Sequence, residues 1–551
     1  MGQTPTTGGT VIFRAEGGPD WIDPGLTYYT FGYMITYATN RTLYSSIPGQ
    51  PEHPVPDLAE GDPMISGDSK MITVTLKSGV RFSPPVNREV TSSDIKYAIE
   101  RAFTENVPSG YVFTYFSDLV GAPSEPGPFA DIQGIETPDE RTIVFRLERP
   151  TAATFAAALQ MPITVPVPKE YAEPFDQENP STYDSHVVFT GPYMIRNDSE
   201  GNLVGLADDI EIVRNPNWDP VTDYRPAYLD EIRIRSGGDI NRMATRTLAG
   251  SHLMCCDVSP TEVVKQFRST YPDQIGSAPG HGTRWVAFNT TVRPLTNLNV
   301  RKALAAIMNR KALRATRGGR ILGRIAKHFL PPGVPGFEES GGYGGFGLDY
   351  MDHPNGDSTI ARKYMLRARR DGVRITRRGQ YAGNTTLLMI GADFGPAIPV
   401  ARRVKRQVER LGFEVDLRLK PFDEMFLRWC GIRDAKVAIC PNVGWFFDFF
   451  DPQSLLEPTF SGDAIDRQGF STNWSLLDDS EIDAAMDAAA ILPPGPDRTE
   501  AWADINRRIT RQAPGVPWVW DSNYQVESSD VHGVMNPYFS LWDLSFTYVK
   551  T

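Results

Sequence analysis

Residues 385–452 read TTLLMIGADFGPAIPVARRVKRQVERLGFEVDLRLKPFDEMFLRWCGIRDAKVAICPNVGWFFDFFDP, and their pattern decides the fold class. Thr385 to Ile390 is a short apolar run. Val400, Ala401, Val404, Val408 and Leu411 then recur at helical spacing, and Gly412 stands where helices usually stop. Phe413, Val415, Leu417 and Leu419 alternate with Glu414, Asp416 and Arg418, the period of a strand with one face inward. A second helical stretch leads to Val437-Ala438-Ile439, a third strand. Strand, helix, strand, helix, strand is the order of βαβ units, so the sequence predicts an α/β fold with a partly parallel sheet.

In open α/β sheets, ligands bind beyond the carboxyl ends of the strands. That rule places a candidate site after Ile439, where Val443-Gly444-Trp445-Phe446-Phe447-Asp448-Phe449-Phe450-Asp451-Pro452 sets five aromatics around one carboxylate.

Working outward, Asn299 is expected to cap a helix whose apolar stripe is Val300, Ala303, Leu304, Ile307 and Met308. Met71 to Leu76 predicts a strand, with Gly79 turning the chain before Arg81-Phe82. Thr91-Ser92-Ser93-Asp94 is a capping signal ahead of Ile95, Ala98, Ile99, Ala102 and Phe103 on one helical face. The arginines of 362–370 share a helix with Tyr364, Met365 and Ala368, which reads as a solvated face, with an acidic-partner surface as the alternative.

The 551 residues provide for several packed cores, at 40% hydrophobic and 22% charged. A net charge of −11 argues against a phosphate-gripping surface, so nucleic acid is not expected as a partner. No run approaches the roughly 18 apolar residues of a membrane span. The start, Met1-Gly2-Gln3-Thr4, lacks the basic-then-apolar pattern of a secretory signal, so any such signal is trimmed or absent.

Several chemistries find no support. Gly342-Tyr343-Gly344-Gly345-Phe346-Gly347 matches the dinucleotide glycine pattern, but no strand precedes it and no helix opens from it, so it reads as a flexible loop. The seven histidines lack zinc spacing, and no nucleophile elbow occurs; neither metal nor cofactor is expected. Of the four cysteines, Cys430 and Cys440 flank a helix-to-strand turn and are favoured as a disulfide. Adjacent Cys255 and Cys256 can bridge only through a strained ring, and four buried thiols are the alternative.

A family resemblance runs along the chain. It is carried by Gly8-Gly9-Thr10-Val11, Ile22-Asp23-Pro24, Pro56-Asp57-Leu58-Ala59, Val80-Arg81-Phe82 and Thr91-Ser92-Ser93-Asp94-Ile95. Further on come Thr190-Gly191-Pro192-Tyr193, Arg214-Asn215-Pro216-Asn217-Trp218, Tyr228-Leu229-Asp230-Glu231-Ile232, and Phe288-Asn289 ahead of Val300-Arg301-Lys302-Ala303-Leu304. In this order they resemble the family 5 extracellular solute-binding proteins of bacterial ABC importers, which include dipeptide, oligopeptide and nickel binders. The resemblance implies an α/β, two-lobe periplasmic-binding-protein-like fold (type II, cluster C) with an extra subdomain and two hinge crossovers. Lobe I is expected from residues 1–45, 183–283 and 523–551, the extra subdomain from 46–182 and lobe II from 284–522, with hinges near His281 to Trp285 and Trp518 to Asn523. One departure is Phe82-Ser83-Pro84-Pro85-Val86, where the family usually reads Phe, His, Asp, Gly.

Gly444-Trp445-Phe446-Phe447-Asp448 is similar to the peptide binders' Gly-Trp, two variable residues, then Asp. By that likeness Asp448 pairs with a peptide α-ammonium, the alternative being a cap for the Asp451-Pro452 turn. Trp445 would line the cleft and offer its backbone to an extended peptide. Phe446 and Phe447 are wall or core, and Tyr28 and Tyr29 reach the cleft from lobe I or pack within it. The expected protein is an extracytoplasmic binder, not an enzyme. It captures short peptides between its lobes and delivers them to ABC permease subunits, as a monomer held to the membrane by a lipid anchor at most. Rival readings are an oligosaccharide, siderophore or metal chelate in the same fold, a peptide-signal receptor, and, remotely, a secreted α/β hydrolase.

Overall fold

The computed structural model describes residues 5–206, 209–257, 259–465 and 471–550, and the polar start Met1–Thr4 lies outside them. The chain forms two units, Met1–Pro279 with Asn523–Thr551, and Gly280–Ser522.

In chain order the first unit contributes β1 (Thr10–Ala15), α1 (Thr30–Thr39), β2 (Met64–Ile65), β3 (Met71–Thr75), α2 (Ser92–Arg101), β4 (Ile135–Asp139), β5 (Thr142–Arg146), β6 (Tyr193–Ile195), β7 (Asp209–Arg214), β8 (Glu231–Ser236) and β9 (Leu253–Cys255). β10 (Ile275–Phe288) carries the chain into the second unit, which holds α3 (Leu298–Ile307), α4 (Ser358–Arg370), β11 (Thr386–Ala392), α5 (Ala397–Glu409), β12 (Glu414–Lys420), α6 (Phe422–Arg428), β13 (Ile439–Phe446) and α7 (Gln453–Phe460). β14 (Gly515–Glu527) returns it.

The first unit has a sheet in the order β14–β9–β1–β8–β7–β6, with β8 and β9 parallel to β1, and an antiparallel sheet β2–β3–β5–β4. In the second unit the order is β12–β11–β13–β10–β14. β11 is parallel to both β12 and β13, and β13 is antiparallel to β10. Its core joins Val286, Phe288 and Ile439 from the sheet to Val300, Leu304, Val404 and Val408 from the helices.

Three expectations are corrected. The third strand does not end at Ile439: it begins there and runs to Phe446, because a bulge admits Pro441, which has no N–H to offer a ladder. The cap of α3 is Asn297, whose Oδ1 accepts from the Val300 N–H at 3.1 Å. Asn299 lies within the first turn and donates instead to Asp371 at 2.8 Å. The glycine loop has a fixed path, with Lys327 donating to the Gly344 carbonyl at 2.7 Å and the buried His328 ring meeting the Gly342 carbonyl at 3.1 Å. α4 buries Ala361, Tyr364, Met365 and Ala368 and leaves Arg362, Arg367, Arg369 and Arg370 to solvent.

The sequence signatures are structural anchors. Asp23 takes a bidentate grip from Arg101 at 2.7 and 2.8 Å. Asp57 is fully buried and holds Arg41 at 2.7 Å as well as Arg225. Asp94 completes the capping box with Thr91 and receives Arg88 at 2.6 Å. Gly191 must be glycine because a Cβ there would lie 2.7 Å from the Thr39 carbonyl carbon. In the departing turn, Ser83 exchanges backbone and hydroxyl hydrogen bonds with Phe189, which secures it without the usual residues.

A buried carboxyl gives the first unit a pH signature. Burial pushes Glu527 up from 4.5 to about 8, against the Gly533 N–H and Lys550, which favour its charge. The folded chain therefore holds a proton that the unfolded chain releases between those values. This contribution to stability is full below about 4.5 and is lost as pH rises through about 8. Glu527→Gln keeps an acceptor for Gly533 and has no charge to bury. Urea melts at pH 5, 7 and 9 should show the wild type losing of order 4 kcal/mol relative to this variant across the window. Parallel pH profiles would refute the assignment.

Candidate functional site

The carboxyl end of β13 is built by its pairing with β10. Cys440 pairs with Ala287 and Val443 with Trp285, so Pro441 and Asn442 stand opposite Val286 alone. After that bulge Gly444 faces Arg284, Trp445 faces Thr283 and Phe446 faces Gly282. Ladder partners share a sheet face, so Trp445 lies with Val443, Trp285 and Cys440, while Gly444 and Phe446 lie with Arg284.

Gly444 is a place of close approach, since a Cβ would come within 2.9 Å of Arg284 Cγ and 3.2 Å of its Nη1. Trp445 donates its indole N–H to the Ser454 carbonyl at 3.0 Å and leans on Trp474, centroids 5.8 Å apart. Phe446 is half-buried beneath the Arg284 guanidinium, 5.8 Å from its centroid. Phe447 is buried and packs on His281 and Phe450. Asp448 follows two residues after the strand and is 5% exposed. The turn after it is served by Asp451, which accepts from the Gln453 N–H at 2.8 Å and is gripped by Arg498 at 2.9 and 3.0 Å.

Cys430 and Cys440 form a disulfide that ties the turn after α6 to β13. Cys255 and Cys256 are joined to each other, so among the described residues no cysteine carries a free thiol. In the first unit, Tyr28 lies against Tyr111 at 4.8 Å and over Gly110. Tyr29 sits at the N-terminus of α1 with 37% of its surface exposed. Both backbone N–H groups are accepted by Asp20, whose carboxyl burial raises to about 6.

Sequence reasoning missed the charged cluster beside Gly444. Asp521, on β14, accepts from Arg284 and from Arg317 at 2.9 Å. Burial would raise its carboxyl, but Arg317 and Arg284 outweigh burial and hold it below the usual range. A charge closing the apolar run Val516-Pro517-Trp518-Val519-Trp520, and an arginine beside Trp285-Val286-Ala287-Phe288, were the available signals.

Both the sequence and the fold match known proteins. The family model of the bacterial extracellular solute-binding proteins, family 5 Middle, matches residues 53–467. A dipeptide-binding protein of Pseudomonas aeruginosa PAO1 is 24% identical over 543 residues, covering 95% of this chain and 92% of the relative. The solved structure of clavulanic acid biosynthesis oligopeptide binding protein 2 superposes with a TM-score of 0.83 at 25% identity, covering 100% of this chain and 97% of that one. The Helicobacter pylori periplasmic binding protein DppA, solved with the peptide STSA, gives 0.79 at 20% identity, with 99% of each chain covered. No described helix is long and apolar enough to cross a membrane. Matched over most of its length, the chain belongs to the bacterial extracellular solute-binding proteins of family 5.

Proposed function

We propose that this protein captures short peptides outside the cytoplasm and hands them to an ABC importer, as a monomer carried on a lipid anchor. Its family binds solutes rather than transforming them. The observation that carries the reading is Asp448, a buried carboxylate just beyond the carboxyl end of β13, flanked by Trp445 and Phe447. A carboxylate in that setting suits an ammonium group, because a charge-assisted hydrogen bond is about twice as strong as a neutral one. Relatives named for dipeptides and a neighbour holding the peptide STSA support the same class of ligand. The half-buried strand end near Trp445 would exchange main-chain hydrogen bonds with the peptide, and water in the side-chain pockets would let one site accept varied sequences.

Calorimetry with one tripeptide, free and N-acetylated, tests the reading. Acetylation removes the ammonium, so affinity should fall at least about tenfold. Equal affinity for the two forms would overturn the amine-anchored reading and favour a neutral ligand such as a sugar.

A further inference from the structure

The carboxyl ends of β11, β12 and β13 all open onto aromatic side chains. Phe394 follows β11, Phe422 and Phe426 stand on α6 directly after β12, and Trp445 is the penultimate residue of β13. Because β11 is parallel to both neighbours, the three ends point the same way. Their rings form one row through Trp474: Phe394 to Phe422 is 5.6 Å between centroids, Phe422 to Phe426 5.0 Å, Phe426 to Trp474 5.1 Å and Trp474 to Trp445 5.8 Å. Each step lies within the range of favourable aromatic pairs.

This row is only partly enclosed. Phe422 is 39% exposed, while Phe394, Phe426 and Trp445 are half-buried. α6 buries Met425, and the Cys430–Cys440 bridge pins the turn after it to β13, on the sheet face that also carries Trp445. The rings are thereby held in place before any ligand arrives, which lowers the entropic cost of using them. The row begins at Trp445, three residues before Asp448 in the chain.

We infer that Phe394, Phe422, Phe426 and Trp445 form an apolar subsite that selects peptides bearing an aromatic side chain, an inference that rests on the peptide reading above. Its occupant is an aromatic ring of the bound peptide, whose amine is held by Asp448.

The test is calorimetry with Ala-Ala-Ala and the three tripeptides in which one alanine is replaced by phenylalanine. At least one phenylalanine peptide should bind the wild type about tenfold tighter than Ala-Ala-Ala. In Phe422→Ala and Phe394→Ala, checked for unchanged melting, that ratio should shrink to about threefold or less, with Phe422→Leu intermediate. Equal binding of all four tripeptides, or a ratio that survives both alanine variants, overturns the subsite and leaves the peptide reading standing. If none of the four binds, the peptide reading and the subsite fall together.

Discussion

Asp57→Ala should lower the unfolding free energy by about 3–5 kcal/mol. Asp57 is fully buried between two buried guanidiniums. Arg41 donates to its carboxylate at 2.7 Å, and to its carbonyl at 2.6 Å. Arg225 reaches the same carboxylate and also pairs with Asp223 at 2.8 Å. With the carboxylate removed, two positive charges remain out of water, and among the described residues Asp223 is the one carboxylate left in an ion pair with them. The attraction of a buried pair does little better than repay its desolvation, but an orphaned charge pays that cost without return. Asp57→Asn preserves the shape and should lose most of the same energy. Urea denaturation of both variants measures it, and a loss below about 1 kcal/mol in each would show that the cluster is not an anchor.

Asp448→Ala should weaken binding of amine-bearing peptides by about 2–5 kcal/mol, or roughly thirtyfold to several thousandfold. Most of that penalty comes from burying an ammonium without its partner. Asp448→Asn keeps a hydrogen-bond acceptor of the same size and should recover only a small part. Because Asp448 and its neighbours Phe447 and Phe449 are buried, melting curves of both variants must accompany the calorimetry. Peptide affinity that does not change in a folded variant would remove Asp448 from the site.

Where periodicity is strong, local structure was legible. The stripe Ile95, Ala98, Ile99 and the alternation from Phe413 onward carry the burial they imply near their starts. By Leu417 and Leu419 that alternation fades into half-burial, because β12 is the edge strand and has no neighbour on one side. The length of β13 was not legible. Proline and glycine signal a break, and only the pairing with β10 shows that a bulge absorbs Pro441. The choice between Asn297 and Asn299 as cap was equally hidden, since both types cap well and two residues separate them. In the site, the Trp445–Asp448 stretch stood out by composition. Arg284, Arg317 and Asp521 lie far apart in sequence and meet only through β10, β14 and the segment between them.

β13 also resembles a message with a shifted reading frame. Upstream of Pro441 the odd-numbered Ile439 shares its sheet face with Phe288; downstream that same face is taken by the even-numbered Gly444 and Phe446, opposite Arg284 and Gly282. Had the ladder run on evenly from Cys440 with no bulge, Trp445 would fall on the face of Arg284 and Gly444 where the tryptophan now stands. The bulge, by holding one residue outside the ladder, therefore decides that tryptophan rather than glycine lies opposite Thr283.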